Sequence, residues 1–142
     1  AALGKRPIHV RREIAGHIAN RLQAALWREA FHLVDQGVAS VSDIDTAIAH
    51  GPGLRWALMG PFMNLHLSGG QGGMQHLLEH LGGPIESWWR DLGNPAMTEA
   101  LKDSVVQGVA EARGMRREEE LERTRDELLT DLIRAKAQGS LY

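Results

Sequence analysis

Apolar residues recur with a helical period along most of the chain. From Ile18 to Val34 they fall at spacings of i, i+4, i+7 and i+8, which predicts an amphipathic helix. Gly37 follows this run and is predicted to end the helix as a C-terminal cap. A shorter helix is predicted to start at Ser42, with Asp45 in a position like that of a capping box, and to stop before the next glycine.

Glycine and proline residues interrupt the helical pattern in the middle of the chain. Gly60-Pro61 predicts a helix start, because proline is favoured at the first helical position. The glycines at 69–73 are expected to close that helix. Residues 74–81 then predict an amphipathic helix that stops at Gly82-Gly83-Pro84, and residues 85–92 predict a separate segment.

The last third of the chain predicts two longer helices, over about residues 96–112 and 116–137. The second has a face dense in acidic and basic side chains, which we interpret as a solvated helix face. Only residues 7–10, Pro-Ile-His-Val, have the character of a strand. The pattern therefore predicts an all-α domain of about six to eight helices.

The composition of the 142 residues is that of one ordinary globular domain, with 43% apolar and 24% charged residues. A net charge of −2 gives no sign of a nucleic-acid-binding or membrane-surface protein. No apolar run approaches the roughly 18 residues of a membrane helix. The absence of cysteine excludes disulfides and thiolate metal sites and fits a cytoplasmic protein. The sequence does not begin with Met and its N-terminal part has no signal-peptide pattern, so we expect a fragment or a processed product.

Two glycine-rich stretches look like nucleotide-binding sequences but do not meet the requirements. Residues 51–56 begin like a dinucleotide fingerprint, yet Trp56 takes the place of the third glycine and no strand precedes them. We interpret them as a turn at a helix end. The glycines at 69–73 lack the nearby Lys-Ser/Thr pair of a P-loop. The chain is therefore expected to bind no nucleotide cofactor by itself.

His76-Leu77-Leu78-Glu79-His80 fits the H-x-x-E-H pattern of a group of zinc peptidases. On a helix, His76 and His80 would face the same side and could share a zinc ion, with Glu79 as general base. A catalytic site also needs a third protein ligand, and the pattern does not specify one. Two exposed histidines on an amphipathic helix explain it more simply. Zinc catalysis is therefore a remote alternative, and no metal site is predicted.

Two ordered motifs strongly resemble the 3-hydroxyacyl-CoA dehydrogenase family. The first is residues 7–10, Glu13 and Gly16-His17-Ile18-Ala19-Asn20-Arg21, which resemble the junction where the last strand of the family's Rossmann domain leads into its helical domain. The second is Asp43-Ile44-Asp45, which precedes a Gly-x-Gly turn and then Met59-Gly60-Pro61-Phe62. Two motifs in the right order are much more specific than either alone.

The resemblance covers residues 4–83 well and the rest loosely. It implies a helical bundle like the C-terminal domain of 6-phosphogluconate dehydrogenase, preceded by the last short strand of a Rossmann domain that the chain lacks. Residues 1–15 would be the end of that domain and the junction, and residues 16–142 the helical substrate-binding and dimerisation domain. In the family, a His–Glu pair of the Rossmann domain takes the proton of the 3-hydroxyl while hydride passes to NAD. NAD is therefore expected to bind outside this chain, which alone is expected to be inactive.

The resemblance also identifies candidate site residues. Asn20 matches the asparagine of the helix-start motif, so it is expected to contact substrate and to act catalytically on the developing carbonyl oxygen. A local hydrogen bond at the helix start is the alternative. Arg55 is a candidate for binding a substrate carboxylate or phosphate through its planar fork, and a solvated arginine is the alternative. Trp56, Trp88 and Trp89 are predicted to be core or interface anchors.

Some positions depart from the family pattern. Ala15 stands where the family usually has Pro, and His17 where it usually has Phe. The basic turn at 53–59 is more similar to the branch that acts on free hydroxy acids such as L-gulonate or carnitine. The main prediction is an NAD-dependent dehydrogenase of 3-hydroxyacyl-CoA in fatty acid metabolism, and a dehydrogenase of a free 3-hydroxy acid is the alternative. A non-catalytic helical interaction module is a second alternative. The resemblance further implies a homodimer with a small-molecule substrate and with no nucleic-acid or membrane partner.

Overall fold

The structure is a computed structural model that describes residues 6–139. Within this range it contains seven α-helices and one short 3-10 turn, and no strand, which confirms the all-α prediction. The helices are α1 (Ala19–Asp35), α2 (Val41–His50), α3 (Pro52–Leu58), α4 (Pro61–Ser68), α5 (Gly73–Asp91), α6 (Glu99–Arg113) and α7 (Glu118–Gly139), and the 3-10 turn is Gly70–Gly72.

The end of α1 confirms the predicted glycine cap. Gly37 has φ +63°, a left-handed conformation that glycine adopts without steric cost. Its N–H donates to the carbonyl of Val34 at 3.0 Å, and the N–H of Val38 donates to that of Leu33 at 2.9 Å. This is the Schellman pattern, which satisfies the last carbonyl groups of the helix and turns the chain toward α2.

Helix α5 corrects the prediction of a break at Gly82-Gly83-Pro84. The helix runs without interruption from Gly73 to Asp91 and contains Pro84 in its interior. Proline normally disfavours a helical conformation of the residue before it, because its ring meets that residue's backbone and Cβ. Here the preceding residue is Gly83, which has no Cβ, so part of this clash is removed. The two predicted segments are therefore one 19-residue helix.

Three other helix starts differ from the prediction. Helix α2 begins at Val41, and its N-cap is Ser40, whose Oγ accepts from the N–H of Asp43 at 3.1 Å. The capping pair predicted at Ser42 and Asp45 was thus two residues late. A simple turn was predicted after Gly51, but the structure has a helix there, α3. This helix forms because Pro52 suits its first position. Helix α6 begins after Thr98, whose Oγ1 accepts from the N–H of Leu101, rather than near residue 96.

Residues 6–10 have no regular secondary structure, so the strand predicted at 7–10 is not formed. A strand satisfies its backbone N–H and C=O groups by pairing with a neighbouring strand. No strand lies beside this segment in the described part of the chain. The residue pattern alone is therefore not enough to produce the predicted strand.

The helices pack in two groups that α3 connects. Helix α6 packs on α1 and α2, helix α5 packs on α4 and the 3-10 turn, and α3 contacts both α2 and α4. Leu101 of α6 and Leu77 of α5 are the buried apolar side chains of residues 6–139, at 2% and 4% exposure. Gly108 permits close packing of α6 on α2, since a Cβ there would lie 2.5 Å from Cγ2 of Val41.

The end of α5 meets α1 at Gly93. The backbone N–H of Gly93 donates to Oε2 of Glu29 at 2.8 Å, although the two residues are 64 positions apart. The imidazole of His32 occupies the space beside Gly93, where a Cβ would lie 1.9 Å from its Cγ. This contact joins the two groups of helices and requires a glycine.

The charged face of α7 is solvated, as predicted. Its acidic and basic side chains are exposed, and its ion pairs include Arg125 with Asp126 at 2.9 Å and Arg134 with Asp131 at 3.2 Å. The hydrogen bond from Arg125 to Asp126 raises the pKa of that guanidinium, and Coulombic attraction adds to the effect. Exposed pairs of this kind contribute little to the free energy of unfolding.

A large apolar surface is uncovered on the isolated chain. Its accessible surface is 11,783 Å², whereas a compact monomer of its mass, 15.6 kDa, would expose about 7,200 Å². Trp56, Trp88 and Trp89 are 42%, 61% and 67% exposed, so they do not lie in a core of this chain. Their role as interface anchors stays a prediction. None of the helices in residues 6–139 combines the length and apolar character needed to cross a bilayer.

Candidate functional site

The turn before α1 is built on Gly16. The N–H of His17 donates to the carbonyl of Ile14 at 3.0 Å, which closes a four-residue turn with Gly16 at its third position and φ +75°. A positive φ at this position is typical of a type II turn, in which proline is common at the second position. The second position here is Ala15. The Pro-Gly pair that the family usually has is therefore explained by the turn geometry.

His17 also has a positive φ, +49°. A residue with a side chain adopts this conformation at a cost of about 1–3 kcal/mol, and such residues concentrate at functional sites. Residues 13–17 line an open depression of about 470 Å³ immediately before α1. The strained turn and the depression thus lie beside the start of the helix that carries Asn20.

Asn20 is the second residue of α1 and its side chain is exposed. The N-cap position belongs to Ile18, which provides no side-chain cap. Among residues 6–139, the structure shows no hydrogen bond from the Asn20 amide that would make it a local helix cap. The exposed amide is available to an external group.

Arg55 lies on α3 and its side chain is exposed. Helix α3 packs on α2 and α4, whereas α1 packs on α6. Asn20 and Arg55 therefore lie on helices that do not pack on each other. Within the described residues, the structure does not bring the two side chains together in one pocket.

Asn64 fixes the turn between α3 and α4. Its Nδ2 donates to the carbonyls of Arg55 at 3.0 Å, Met59 at 2.9 Å and Gly60 at 3.0 Å. An amide group has two hydrogens, so one of them is shared between two of these acceptors. The carbonyl of Arg55 also accepts from the N–H of Met59 at 2.9 Å. Asn64 thus holds the backbone of the candidate substrate residue Arg55.

A second contact to this turn comes from the far end of the chain. Nζ of Lys136, on α7, donates to the carbonyl of Ala57 on α3. A positive charge near the carbonyl end of a helix interacts favourably with the helix dipole. The Lys136 contact therefore connects α7 to the helix that carries Arg55.

Replacement of Asn64 by Ala should lower the free energy of unfolding by about 1–3 kcal/mol, because the part-buried carbonyl of Met59 loses its donor. The carbonyls of Arg55 and Gly60 keep a backbone N–H donor each. Asn64→Asp keeps the size but has no N–H to donate, and its carboxylate repels the three carbonyls. We expect Asn64→Asp to be at least as destabilising as Asn64→Ala in chemical denaturation. Parent-like stability of the Asp variant would show that the three hydrogen bonds do not hold the turn.

The glycines at 69–73 pack against histidine side chains. Nδ1 of His66 accepts from the N–H of Met74 at 3.1 Å and so caps the first turn of α5. Gly73 has φ +58°, and a Cβ there would lie 2.4 Å from Cε1 of His66. The glycine run is thus a tight turn between α4 and α5, in agreement with the predicted end of α4.

The H-x-x-E-H sequence lies on α5. The ring centroids of His76 and His80 are 4.0 Å apart. Glu79, however, accepts from Nε2 of Gln75 at 3.0 Å. Residues 6–139 contain no group of three or more His, Cys, Asp or Glu side chains arranged to hold a metal ion. The third protein ligand that zinc peptidase catalysis requires is therefore not provided by the described residues.

Asn20 and Arg55 were predicted from the sequence, whereas Asn64 and Lys136 were not. Asn64 lies three residues after Pro61, and a polar residue in the first turn of a helix was the available signal. The Lys136 contact spans 79 positions, and no local pattern indicates it. Both contacts become visible only when the helices are packed.

Comparison with known proteins identifies the class of this helical domain. The family model described as "3-hydroxyacyl-CoA dehydrogenase, C-terminal domain" matches residues 16–114, which span α1 to the end of α6. The match covers well over half of the chain. The chain therefore belongs to this family, as the two sequence motifs predicted.

Curated relatives are more specific. The chain is 51% identical over 134 residues to an L-carnitine dehydrogenase of Burkholderia mallei, covering 94% of this chain and 42% of that protein. It is 50% identical over 134 residues to an L-carnitine dehydrogenase of Pseudomonas aeruginosa, covering 94% and 42%. It is 47% identical over 132 residues to an L-carnitine dehydrogenase of Oceanobacillus iheyensis, covering 93% of this chain and 43% of that protein. The chain spans about two fifths of the length of these relatives.

Proposed function

We propose that this chain is the helical, substrate-side part of an NAD-dependent dehydrogenase that oxidises the 3-hydroxyl of a small free hydroxy acid of the L-carnitine kind. The proposal rests on how far along the chain the similarity to L-carnitine dehydrogenases extends. The family match ends at residue 114, before α7. The match to the Burkholderia mallei relative covers 94% of the chain, too much to omit α7. The similarity to L-carnitine dehydrogenases thus includes a helix outside the general family domain.

Oxidation of a 3-hydroxyl removes one proton and one hydride, and NAD supplies the acceptor for the hydride. Asn20 contributes an amide donor to the oxygen, whose charge increases as the hydroxyl becomes a carbonyl. Arg55 contributes a guanidinium that can bind the substrate carboxylate through two parallel hydrogen bonds. The backbone of Arg55 is held by Asn64. A free carboxylate is present on carnitine and absent from an acyl-CoA thioester, but the phosphates of CoA also bind arginine. The choice of the free acid therefore rests on the similarity to L-carnitine dehydrogenases and not on Arg55.

The substrate proposal is tested by NADH formation with the complete protein that carries this chain. We expect turnover with L-carnitine and much less with 3-hydroxybutyryl-CoA. Faster oxidation of the thioester would contradict the free-acid proposal and support the acyl-CoA alternative. No oxidation of either substrate would support the alternative of a helical interaction module.

We place the complete enzyme in the cytoplasm as part of the same proposal.

The 142-residue chain by itself should not bind NAD tightly and should not oxidise hydroxy acids. The glycine turns of the described residues do not follow a strand, as a pyrophosphate-binding turn does. Isothermal titration of the chain with NAD checks this expectation. A micromolar dissociation constant would contradict the assignment of cofactor binding to another part of the protein.

The proposal includes a homodimer formed through this domain. The chain exposes about 4,500 Å² more surface than a compact monomer of its mass would, which is more than the roughly 1,000–2,500 Å² that each partner of an obligate homodimer buries. Trp88 and Trp89 are more than half exposed, and aromatic side chains are enriched at interfaces. Sedimentation equilibrium should give twice the chain mass at low micromolar concentration. A monomer at high micromolar concentration would contradict the dimer.

A further inference from the structure

The histidine pair on α5 has the geometry of a chelate. His76 and His80 are four residues apart on one helix, both are exposed, and their ring centroids are 4.0 Å apart with a 45° angle between the planes. Zinc–imidazole bonds of about 2.0–2.1 Å in a tetrahedral arrangement hold two nitrogens about 3.3 Å apart. A centroid separation of 4.0 Å is compatible with that spacing between one nitrogen of each ring.

A hydrogen bond sets the tautomer of His80. Its Nδ1 lies 2.9 Å from the carbonyl oxygen of His76. Because a carbonyl oxygen can only accept, Nδ1 is the nitrogen that carries the hydrogen, and in the neutral ring Nε2 has the free lone pair. Metal-binding histidines are commonly oriented in this way, with one ring N–H donated to a backbone carbonyl and the other nitrogen on the metal.

The surroundings hold the pair on a rigid element. Leu77, between the two histidines, is 4% exposed and fixes this turn of α5 against the fold. Gly72 leaves room beside His76, since a Cβ at that position would lie 2.4 Å from the His76 Cβ. The two imidazoles therefore project from a well-anchored helix.

We propose that His76 and His80 bind one zinc ion, with water completing its coordination. Imidazole nitrogen is a preferred ligand of zinc and a poor ligand of Mg²⁺ and Ca²⁺, which prefer oxygen. The site does not carry out zinc peptidase chemistry, because Glu79 is paired with Gln75 and the described residues supply no third ligand. This proposal does not depend on the dehydrogenase function, because neither histidine is assigned a part in it.

The test is isothermal titration of the 142-residue chain, prepared without a histidine tag, with ZnCl₂. We expect one zinc ion per chain and no binding of Mg²⁺ or Ca²⁺. His76→Ala should weaken zinc binding at least tenfold, because loss of even an outer-shell partner of a metal ligand costs about 10–100-fold. His50→Ala removes an exposed histidine of α2 and should leave the affinity unchanged.

A matched control keeps the number of histidines. The double variant His80→Ala/Leu81→His moves the second imidazole to i+5, about 100° further around the helix. It should bind zinc as weakly as His76→Ala, while circular dichroism shows unchanged helix content. Zinc affinity equal to that of the parent in His76→Ala or in this double variant would overturn the proposal. So would the absence of zinc binding to the parent chain, or equal binding of Mg²⁺.

Discussion

Replacement of Asn20 by Ala should lower the turnover of the complete enzyme by about 10²–10³, the typical cost of losing one donor to a developing oxyanion. Oxidation of the 3-hydroxyl passes through a state with alkoxide character. An amide donor fixed at the start of α1 stabilises that state more than the ground state, which is the condition for a higher rate. NAD affinity should be unchanged, because we propose that NAD binds to a part of the enzyme outside this chain.

The position of Asn20 makes the test specific. Loss of the side-chain cap at a helix N-terminus lowers the free energy of unfolding by about 1 kcal/mol. In this structure the N-cap position belongs to Ile18, so Asn20→Ala should leave the free energy of unfolding nearly unchanged. Steady-state kinetics and chemical denaturation of the same variant separate the two roles. Turnover within threefold of the parent would remove Asn20 from the site, whatever its effect on stability.

Replacement of Gly93 by Ala should destabilise the fold by about 3 kcal/mol, at the upper end of the usual cost of overpacking. The added Cβ would lie 1.9 Å from Cγ of His32, so the ring must move away. The hydrogen bond from the Gly93 N–H to Glu29 would be disturbed with it. Urea denaturation of the isolated chain should show a lower midpoint with a similar slope.

Two variants serve as controls for Gly93→Ala. Gly82→Ala adds the same methyl group inside α5, where the new Cβ has no atom within 4 Å apart from its chain neighbours and the nearby backbone of the helix. It should raise the free energy of unfolding by roughly 0.5–1 kcal/mol, because alanine is the better helix former. The double variant Gly93→Ala/His32→Ala removes the ring and should recover part of the loss. If the double variant is no more stable than Gly93→Ala, the steric explanation is wrong.

Local sequence signals predicted the end of α1 correctly but placed the starts of α2 and α6 two or three residues from where they lie. Gly37 was predicted as a cap because a left-handed residue after a helix is usually glycine, and its φ is +63°. The break predicted at Pro84 was wrong because the effect of proline depends on its neighbour, and here that neighbour is Gly83. The strand predicted at residues 7–10 was wrong because a strand is defined by its pairing partner and not only by its own side chains.

The candidate site residues also differ in whether a local sequence signal indicates them. Asn20 and Arg55 were identified from motifs that are continuous in the sequence. Asn64 and Lys136 were missed because each acts on the backbone of α3 or the following turn, and the Lys136 contact spans 79 positions. Such contacts depend on how the helices pack, and hydrophobic periodicity contains no information about a single lysine reaching a distant carbonyl.

The most direct test of the central claim is a hybrid protein in which this chain, from Gly16 onward, replaces the matching part of the Burkholderia mallei L-carnitine dehydrogenase. We expect the hybrid to reduce NAD with L-carnitine as substrate at a rate of the same order as that relative, as measured by NADH absorbance. A folded hybrid that binds NAD but forms no NADH from L-carnitine would contradict the proposed function.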